Sequence, residues 1–232
     1  MINKNKTIAI ILARGGSKGI YKKNLSMLME KPLIAWSIII ALKSKSISHV
    51  YVSSDDDEIL ETATLYGATA IKRPMELSDD KASSESGWLH ALESIPKEFL
   101  GEAFFALQAT SPIRFSKDFD DAYEIYDKND YDTLFTAEGI SDHFIWADDG
   151  NNIKPDNFDY LDRGPRQNLK LKYLENGSFY IIDYKGFRQN KTRHFGKVGV
   201  YQMPKSRSFQ IDTQDDLRIA KGIIREFTND FQ

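Results

Sequence analysis

Within twelve residues, 13–24 (ARGGSKGIYKKN), the chain gathers one arginine, three lysines, three glycines and a serine. A glycine-rich turn can aim several backbone N–H groups at one anion. Arg14 adds a planar fork suited to phosphate oxygens, and Lys18 a mobile point charge. The spacing is not that of a Walker loop, and Ser17 stands where a dinucleotide fingerprint has its middle glycine. Taken alone, the loop is either a phosphate site or a tight turn with solvated lysines. Four further positions carry the same ambiguity. Gln108 is polar at the end of an apolar run, so if buried it needs a partner, a loop backbone or a ligand. Arg73 precedes a proline and Ser84 precedes a helical pattern, so solvation and helix capping account for them equally well. Asp212 stands before Thr213 at the start of a helical pattern and is either a cap or a ligand-binding carboxylate. The chain has no cysteine, which excludes disulfides, thiolate catalysis and cysteine metal sites. Its four histidines show no metal-ligand spacing.

These residues need a scaffold, and the sequence predicts one. Residues 7–12 read as a strand buried on both faces, as in a parallel sheet. Residues 31–46 (KPLIAWSIIIALKSKS) read as a helix with Pro32 in its first turn and one apolar face made of Leu33, Trp36 and Ile40, with Ser37 and Ala41. HVYVSSD is a strand, followed by a helix over residues 56–66 capped by Asp55 or Asp56 and closed by Gly67. TAIK is a short strand before the polar loop RPMELSDDKASS; Ser83 or Ser84 then opens a helix to about Glu93. AFFALQAT is a strand, SKDFDDAYEIYDK a helix with Phe119, Ala122, Tyr123 and Tyr126 on one face, and TLFTA a strand. This alternation predicts an α/β fold: a Rossmann-like, doubly wound, mostly parallel sheet. Ligands of such sheets sit outside the carboxyl ends of the strands, where the opening loop, residues 53–55 and residues 108–114 should converge. Residues 140–175 are polar and poor in clear elements, as functional or interface segments are. GSFYIID, KVGVYQM and SFQID read as strands, and TQDDLRIAKGIIREF as a last helix capped by Thr213. The expected organisation is one domain over residues 1–232 with a β-rich excursion over about residues 139–175.

A chain of 232 residues buries a sizeable core, and a net charge of −3 argues against a nucleic-acid partner. No apolar stretch approaches a membrane span and no signal peptide is visible, so cytoplasmic residence without membrane contact is expected.

The string ILARGGSKGIYKKN is followed, in order, by VYVSSDDDEI, RPMELSDDKASSESG, LQATSPIR, PRQ, NGSFYI and IDTQDDL. Together these resemble the acylneuraminate cytidylyltransferases, also called CMP-sialic acid or CMP-nonulosonic acid synthetases. Any one string is weak; their co-occurrence over almost the whole chain is specific. The resemblance implies a sheet of the nucleotide-diphospho-sugar transferase type, with the excursion swapped across a homodimer. It implies transfer of CMP from CTP to the anomeric hydroxyl of an acidic nine-carbon 2-keto sugar, with pyrophosphate released. On that reading Arg14, Gly15, Gly16, Ser17, Lys18 and Lys23 hold the triphosphate, with Arg14 or Lys18 stabilising charge as pyrophosphate departs. Asn24, Arg73, Ala82 and Ser84 match positions near the cytosine and ribose. Gln108, Trp146, Asn176 and Tyr180 match the sugar pocket, and Arg166 a position donated across the dimer to an anionic ligand. Mg²⁺ is implied as cofactor, with Asp212 as its ligand and, directly or through water, as general base.

Two positions depart from the family pattern. Gln210 stands where the first of two metal-binding aspartates is often found, and Trp146 stands where some sialic-acid enzymes carry lysine. The second change exchanges a charge for a stacking surface, which argues against N-acetylneuraminic acid itself and sets a deoxygenated legionaminic or pseudaminic acid beside N-acylneuraminate as substrate; an octulosonic acid is the alternative that shares the fold but usually carries a different opening loop. The first leaves open a nucleotide-sugar-binding protein without catalysis.

Overall fold

Thr7–Leu12 forms β1, and each of its residues from Ile8 to Ile11 is buried, with Ile8 and Ile10 on one face of a sheet and Ala9 and Ile11 on the other. The structure is a computed structural model and describes residues 7–141 and 143–226, apart from the side chain of Arg166. After β1 come the two-residue strands β2 (Met27–Leu28) and β3 (Lys31–Pro32), then α1 (Leu33–Leu42), β4 (Ile47–Ser54), α2 (Asp57–Leu65), β5 (Thr69–Lys72) and α3 (Ser84–Ser94). They are followed by β6 (Ala103–Gln108), α4 (Ser116–Lys128), β7 (Thr133–Ile140), β8 (Trp146–Asp148) and β9 (Ile153–Pro155). The chain continues through β10 (Lys172–Asp183), α5 (Tyr184–Asn190), β11 (Val198–Met203) and α6 (Gln214–Glu226).

Seven strands form one sheet in the order β5-β4-β1-β6-β10-β7-β11. Six run parallel and β10 alone is antiparallel to its neighbours. Helices α1, α2 and α4 cover one face through Ile34, Ile38, Ile59, Ala63, Phe119 and Ala122. α3 and α5 cover the other through Trp88, Ala91, Leu92 and Phe187. The Rossmann-like, doubly wound reading is therefore the fold. The strand order reverses between β1 and β6, because β1 leads through α1 to β4 on one side while β6 lies on the other. That switch point opens a crevice at their carboxyl ends.

Local signals explain most boundaries. Asp56 caps α2, its carboxylate accepting from the N–H groups of Glu58 and Ile59 at 2.9 and 3.2 Å. Ser83 caps α3. Thr213 and Asp216 cap α6 reciprocally: Thr213 Oγ1 accepts from Asp216 N, and the Asp216 carboxylate accepts from the N–H groups of Thr213 and Asp212.

Several expectations are corrected. α1 is shorter than residues 31–46, because Pro32 pairs with Met27 in the β2–β3 ribbon and caps the helix from outside. Nor does α1 show one apolar face: it is buried nearly all round, since Ile34 and Ile38 meet the sheet while Leu33 and Trp36 meet Leu217, Ala220 and Ile224 of α6. SFQID is not a strand; its apolar signal reflects Ile211, which is fully buried and makes one backbone bond to Thr110 O at 2.8 Å. α5 and the β2–β3 ribbon were not anticipated, while the β8–β9 hairpin falls within residues 139–175, where strands were expected. Among the described residues, no helix is long and apolar enough to cross a membrane.

Candidate active site

The opening loop leaves β1 at Leu12 and is tied down at both ends. Ala13 N donates to Ser53 O of β4 at 3.1 Å, Gly15 N to the Asp55 carboxylate at 3.1 Å, and the buried Asn24 amide to Arg14 O at 3.0 Å. Two of its glycines are required by the protein itself. A Cβ at Gly15 would lie 2.6 Å from the Asp56 carboxylate, and one at Gly19 would run into the carbonyl oxygen of Asp212. Gly16 is different: a Cβ there meets nothing within 4 Å, and its φ is not in the left-handed region. Its lack of a side chain is not explained by packing or by backbone strain.

This loop forms one wall of a cleft of about 630 Å³. Arg14, Ser17, Lys18, Lys23, Asn24, Arg73, Ala82, Ser84, Gln108 and Asp212 all line it. Residues 189 positions apart thus meet, Lys23 Nζ lying 2.7 Å from Asp212 Oδ1. Gly15 and Gly16 lie in the loop but do not line the cleft, and Trp146, Asn176 and Tyr180 stand outside the lining. Trp146 is half-exposed on the β8–β9 hairpin and packs edge-on against Phe158 at 5.2 Å. Arg166 begins a short helical turn, Arg166–Asn168; its side chain lies outside the described residues.

Charge is concentrated in the cleft. Arg14 and Lys18 both pair with Asp80, at 3.0 and 2.6 Å. Arg73 is only 4% exposed, and its Nε donates to the Ser78 hydroxyl at 2.8 Å. Burial pushes its pKa down, the Asp55 charge opposes that, and Arg14 adds to it. No carboxylate forms an ion pair with Arg73 among the described residues. A desolvated cation facing a cleft with one neutral partner favours an incoming anion.

The far end of the cleft is built from the carboxyl end of β6, with β10 paired beside it. β10 breaks register between Glu175 and Tyr180, where Gly177 has φ +63°. A Cβ on Gly177 would lie 2.7 Å from Gln210 Nε2 and 3.0 Å from Gln108 Oε1, so the two glutamine side chains meet over this glycine. Asn176 is buried; its Oδ1 accepts from Thr136 Oγ1 and Ser178 N, and its amide donates to Ser208 Oγ. Tyr180 is also buried, against Trp88 of the cleft wall with ring centres 6.1 Å apart. Its hydroxyl donates to Glu175 and accepts from Arg193 at 3.2 Å; burial, and then the Glu175 bond, push its pKa up to about 12. Gln210 donates its amide to Asn176 O and so lies beside Gln108 of the cleft wall.

Arg114, expected at the crevice, is instead fully buried beneath it. Its guanidinium donates to Gln108 O at 2.8 Å, Ser37 Oγ at 2.6 Å and Ser178 O, locking the ends of β6 and β10 together. Burial lowers its pKa to about 9, partly opposed by Asp118, so it stays charged at neutral pH. Asp80 and Trp88 were not read as cleft residues in the sequence, although both line it. Asp80 had one available signal, an acidic loop that could match the basic one, but nothing in the chain's order places them face to face.

The residues around Asp212 fit a magnesium ion of one kind. The Asp212 carboxylate lines the cleft and is largely exposed. Asp216 is engaged in capping, and no cluster of three metal-binding side chains exists among the described residues. One carboxylate together with substrate oxygens and water suits Mg²⁺, which keeps much of its hydration.

Comparison with known proteins places the chain in a family. The family model described as cytidylyltransferase matches residues 8–229. The chain is 35% identical over 222 residues to an N-acylneuraminate cytidylyltransferase of Escherichia coli, covering 94% of this chain and 52% of that protein. It is 34% identical over 222 residues to a pseudaminic acid cytidylyltransferase of Campylobacter jejuni, covering 93% of this chain and 95% of that protein. The chain thus spans about half the length of the N-acylneuraminate relatives it matches. Among solved structures, a CMP:2-keto-3-deoxy-manno-octonic acid synthetase complexed with CTP superposes with a TM-score of 0.70 at 14% identity, covering 96% of this chain and 99% of that one. At that identity the likeness speaks for the fold alone.

Proposed function

The chain belongs to the cytidylyltransferase family, and from that premise we propose that it transfers CMP from CTP to the anomeric hydroxyl of a nonulosonic 2-keto acid. The observation that carries this reading is the convergence of Arg14, Lys18, Lys23 and the ion-pair-free, buried Arg73 on one cleft at the sheet's switch point. The triphosphate lies along the opening loop, and Asn24, Arg73, Ala82 and Ser84 meet the nucleoside. The anomeric oxygen attacks the α-phosphorus in line. The bond to the β-phosphate bridging oxygen breaks, and pyrophosphate leaves with the electron pair. The hydroxyl proton passes to Asp212. Arg14 and Lys18 hold the developing charge in place, so positioning and electrostatics supply the rate. Mg²⁺, held by Asp212 and the phosphates, supplies further positive charge when bound.

Gln108, Tyr180 and Asn176 shape the sugar end, the last two as supports behind the wall. Trp146 and Arg166 take part from a partner subunit in a homodimer. The exposed apolar side chains Trp146, Ile153, Leu161 and Leu174 in and beside the excursion support that assembly. The reaction is assigned to the cytoplasm, in keeping with a chain free of cysteine. The chain is as similar to the N-acylneuraminate enzymes as to the pseudaminic acid enzymes, so both sugars belong in the test.

Pyrophosphate release tests the reading, with CTP, Mg²⁺ and a panel of N-acylneuraminic, legionaminic, pseudaminic and octulosonic acids. Release that depends on one of the nine-carbon acids is expected. Release with octulosonic acid alone reassigns the substrate, and no release with any acid, despite CTP binding, indicates a non-catalytic binder.

A further inference from the structure

Asp80 stands where a phosphate is expected. Its carboxylate bridges the two cations assigned to the triphosphate, Oδ1 lying 3.0 Å from Arg14 Nη1 and Oδ2 2.6 Å from Lys18 Nζ. Arg14 also donates weakly to Asp79 O at 3.4 Å. The acid is presented by a built turn: Asp79 Oδ1 accepts from Lys81 N at 2.9 Å and Ala82 N at 2.8 Å, and Ser78 is tied to Arg73. The same loop supplies Arg73, Ala82 and Ser84 to the cleft, so a movement of Asp80 is a movement of the cleft wall. Lys23 is likewise matched by Asp212, which leaves Arg73 as the one cleft cation of these four without an acidic partner among the described residues.

We propose that Asp80 is an internal counter-anion that occupies the phosphate site of the empty cleft, yields Arg14 and Lys18 to the incoming triphosphate, and returns to help expel pyrophosphate. This rests on the phosphate-binding reading of the opening loop. Three geometric facts carry it. One carboxylate spans both cations, as one phosphate group would. All three side chains are well exposed, at 37%, 76% and 52%, so the pairs exchange readily with solvent or ligand. A triphosphate offers several anionic oxygens where Asp80 offers two, so it wins the exchange. The hydrogen bonds from Lys18 and then Arg14 hold the Asp80 carboxyl below the usual range, so it is ionised whenever it competes. The cost falls on affinity and the benefit on turnover: each product release is assisted by an acid already attached to the protein.

The test is calorimetric titration of the full chain and its Asp80→Asn variant with inorganic tripolyphosphate, then with CTP, without metal. Two exposed pairs compete with the ligand, so the variant should bind about three- to tenfold more tightly and release pyrophosphate more slowly. Asp80→Ala provides the same comparison without the amide, and melting curves of both confirm folding. Equal or weaker binding by both variants overturns the proposal while leaving the phosphate loop intact. Failure of the unaltered protein to bind either ligand overturns the phosphate loop, and the role of Asp80 with it.

Discussion

Replacing Gly16 by alanine separates what the fold needs from what the ligand needs. Within the protein itself the new methyl meets nothing within 4 Å, and the backbone there is not left-handed. Alanine in such a place narrows the unfolded ensemble and stabilises by about 0.4–1 kcal/mol. For a domain of this size that raises Tm by roughly 1–4 °C. If the loop cradles the triphosphate through its backbone, the same methyl stands between N–H groups and phosphate oxygens. Loss of one charge-assisted hydrogen bond costs about 1.5–3 kcal/mol, or roughly 10- to 150-fold in affinity. The assay pairs a thermal melt with CTP titration, and Gly19→Ala is the contrast. There the methyl would strike the Asp212 carbonyl, so stability and binding should fall together. A Gly16→Ala protein that melts as expected and binds CTP like the parent would refute the cradle. One that fails to fold would refute the open space.

Three further outcomes follow from buried charge. Arg73→Met removes a desolvated cation held by one hydroxyl, so the melt should shift little while CTP affinity, read by titration, drops about tenfold or more. Arg114→Met leaves the Gln108 and Ser178 carbonyls without their donor and should cost about 2–4 kcal/mol, visible as a lower Tm. Glu85 pairs with Arg193 at 2.6 Å; burial raises its pKa, but the Arg193 bond, a backbone bond and nearby charges outweigh it, and the net shift is downward. Its stabilisation is therefore complete above the unfolded pKa, about 4.3, and is lost as pH falls through the lower folded value. Between pH 5 and 3, Tm of the parent should fall more steeply than that of Glu85→Gln.

Legibility in the sequence followed how many sides of an element are covered. α4 showed its stripe of Phe119, Ala122 and Tyr123 because one side faces water. The stripe of Leu33, Trp36 and Ile40 read on α1 was only part of its buried surface, since the sheet packs against one side and α6 against the other. Ile211 mimicked a strand because a single anchoring side chain and one backbone bond leave the same apolar signal as a ladder. In the site, the cationic loop was visible as chemistry, and Arg73, Gln108 and Asp212 joined it through the order of the motifs. Asp80 was not legible, because its partner Arg14 lies 66 residues away and only folding brings acid and base together. Gln210 was legible as a departure from the metal pair, but not that its amide turns to the Asn176 carbonyl.

The contact of Gly19 with the backbone of Asp212 has a consequence in time. At about 5–20 residues per second, synthesis separates Lys23 from Asp212 by roughly 10–40 s. For that interval β1, α1 and the cationic loop exist without the segment that closes them, and Leu33 and Trp36 lack their cover from α6. On the proposed function, nucleotide capture is thus among the last properties the growing chain acquires. A polypeptide halted before Ile211 could pair much of its sheet and still have no finished cleft, so bound CTP would report completion of the chain's fold as a whole.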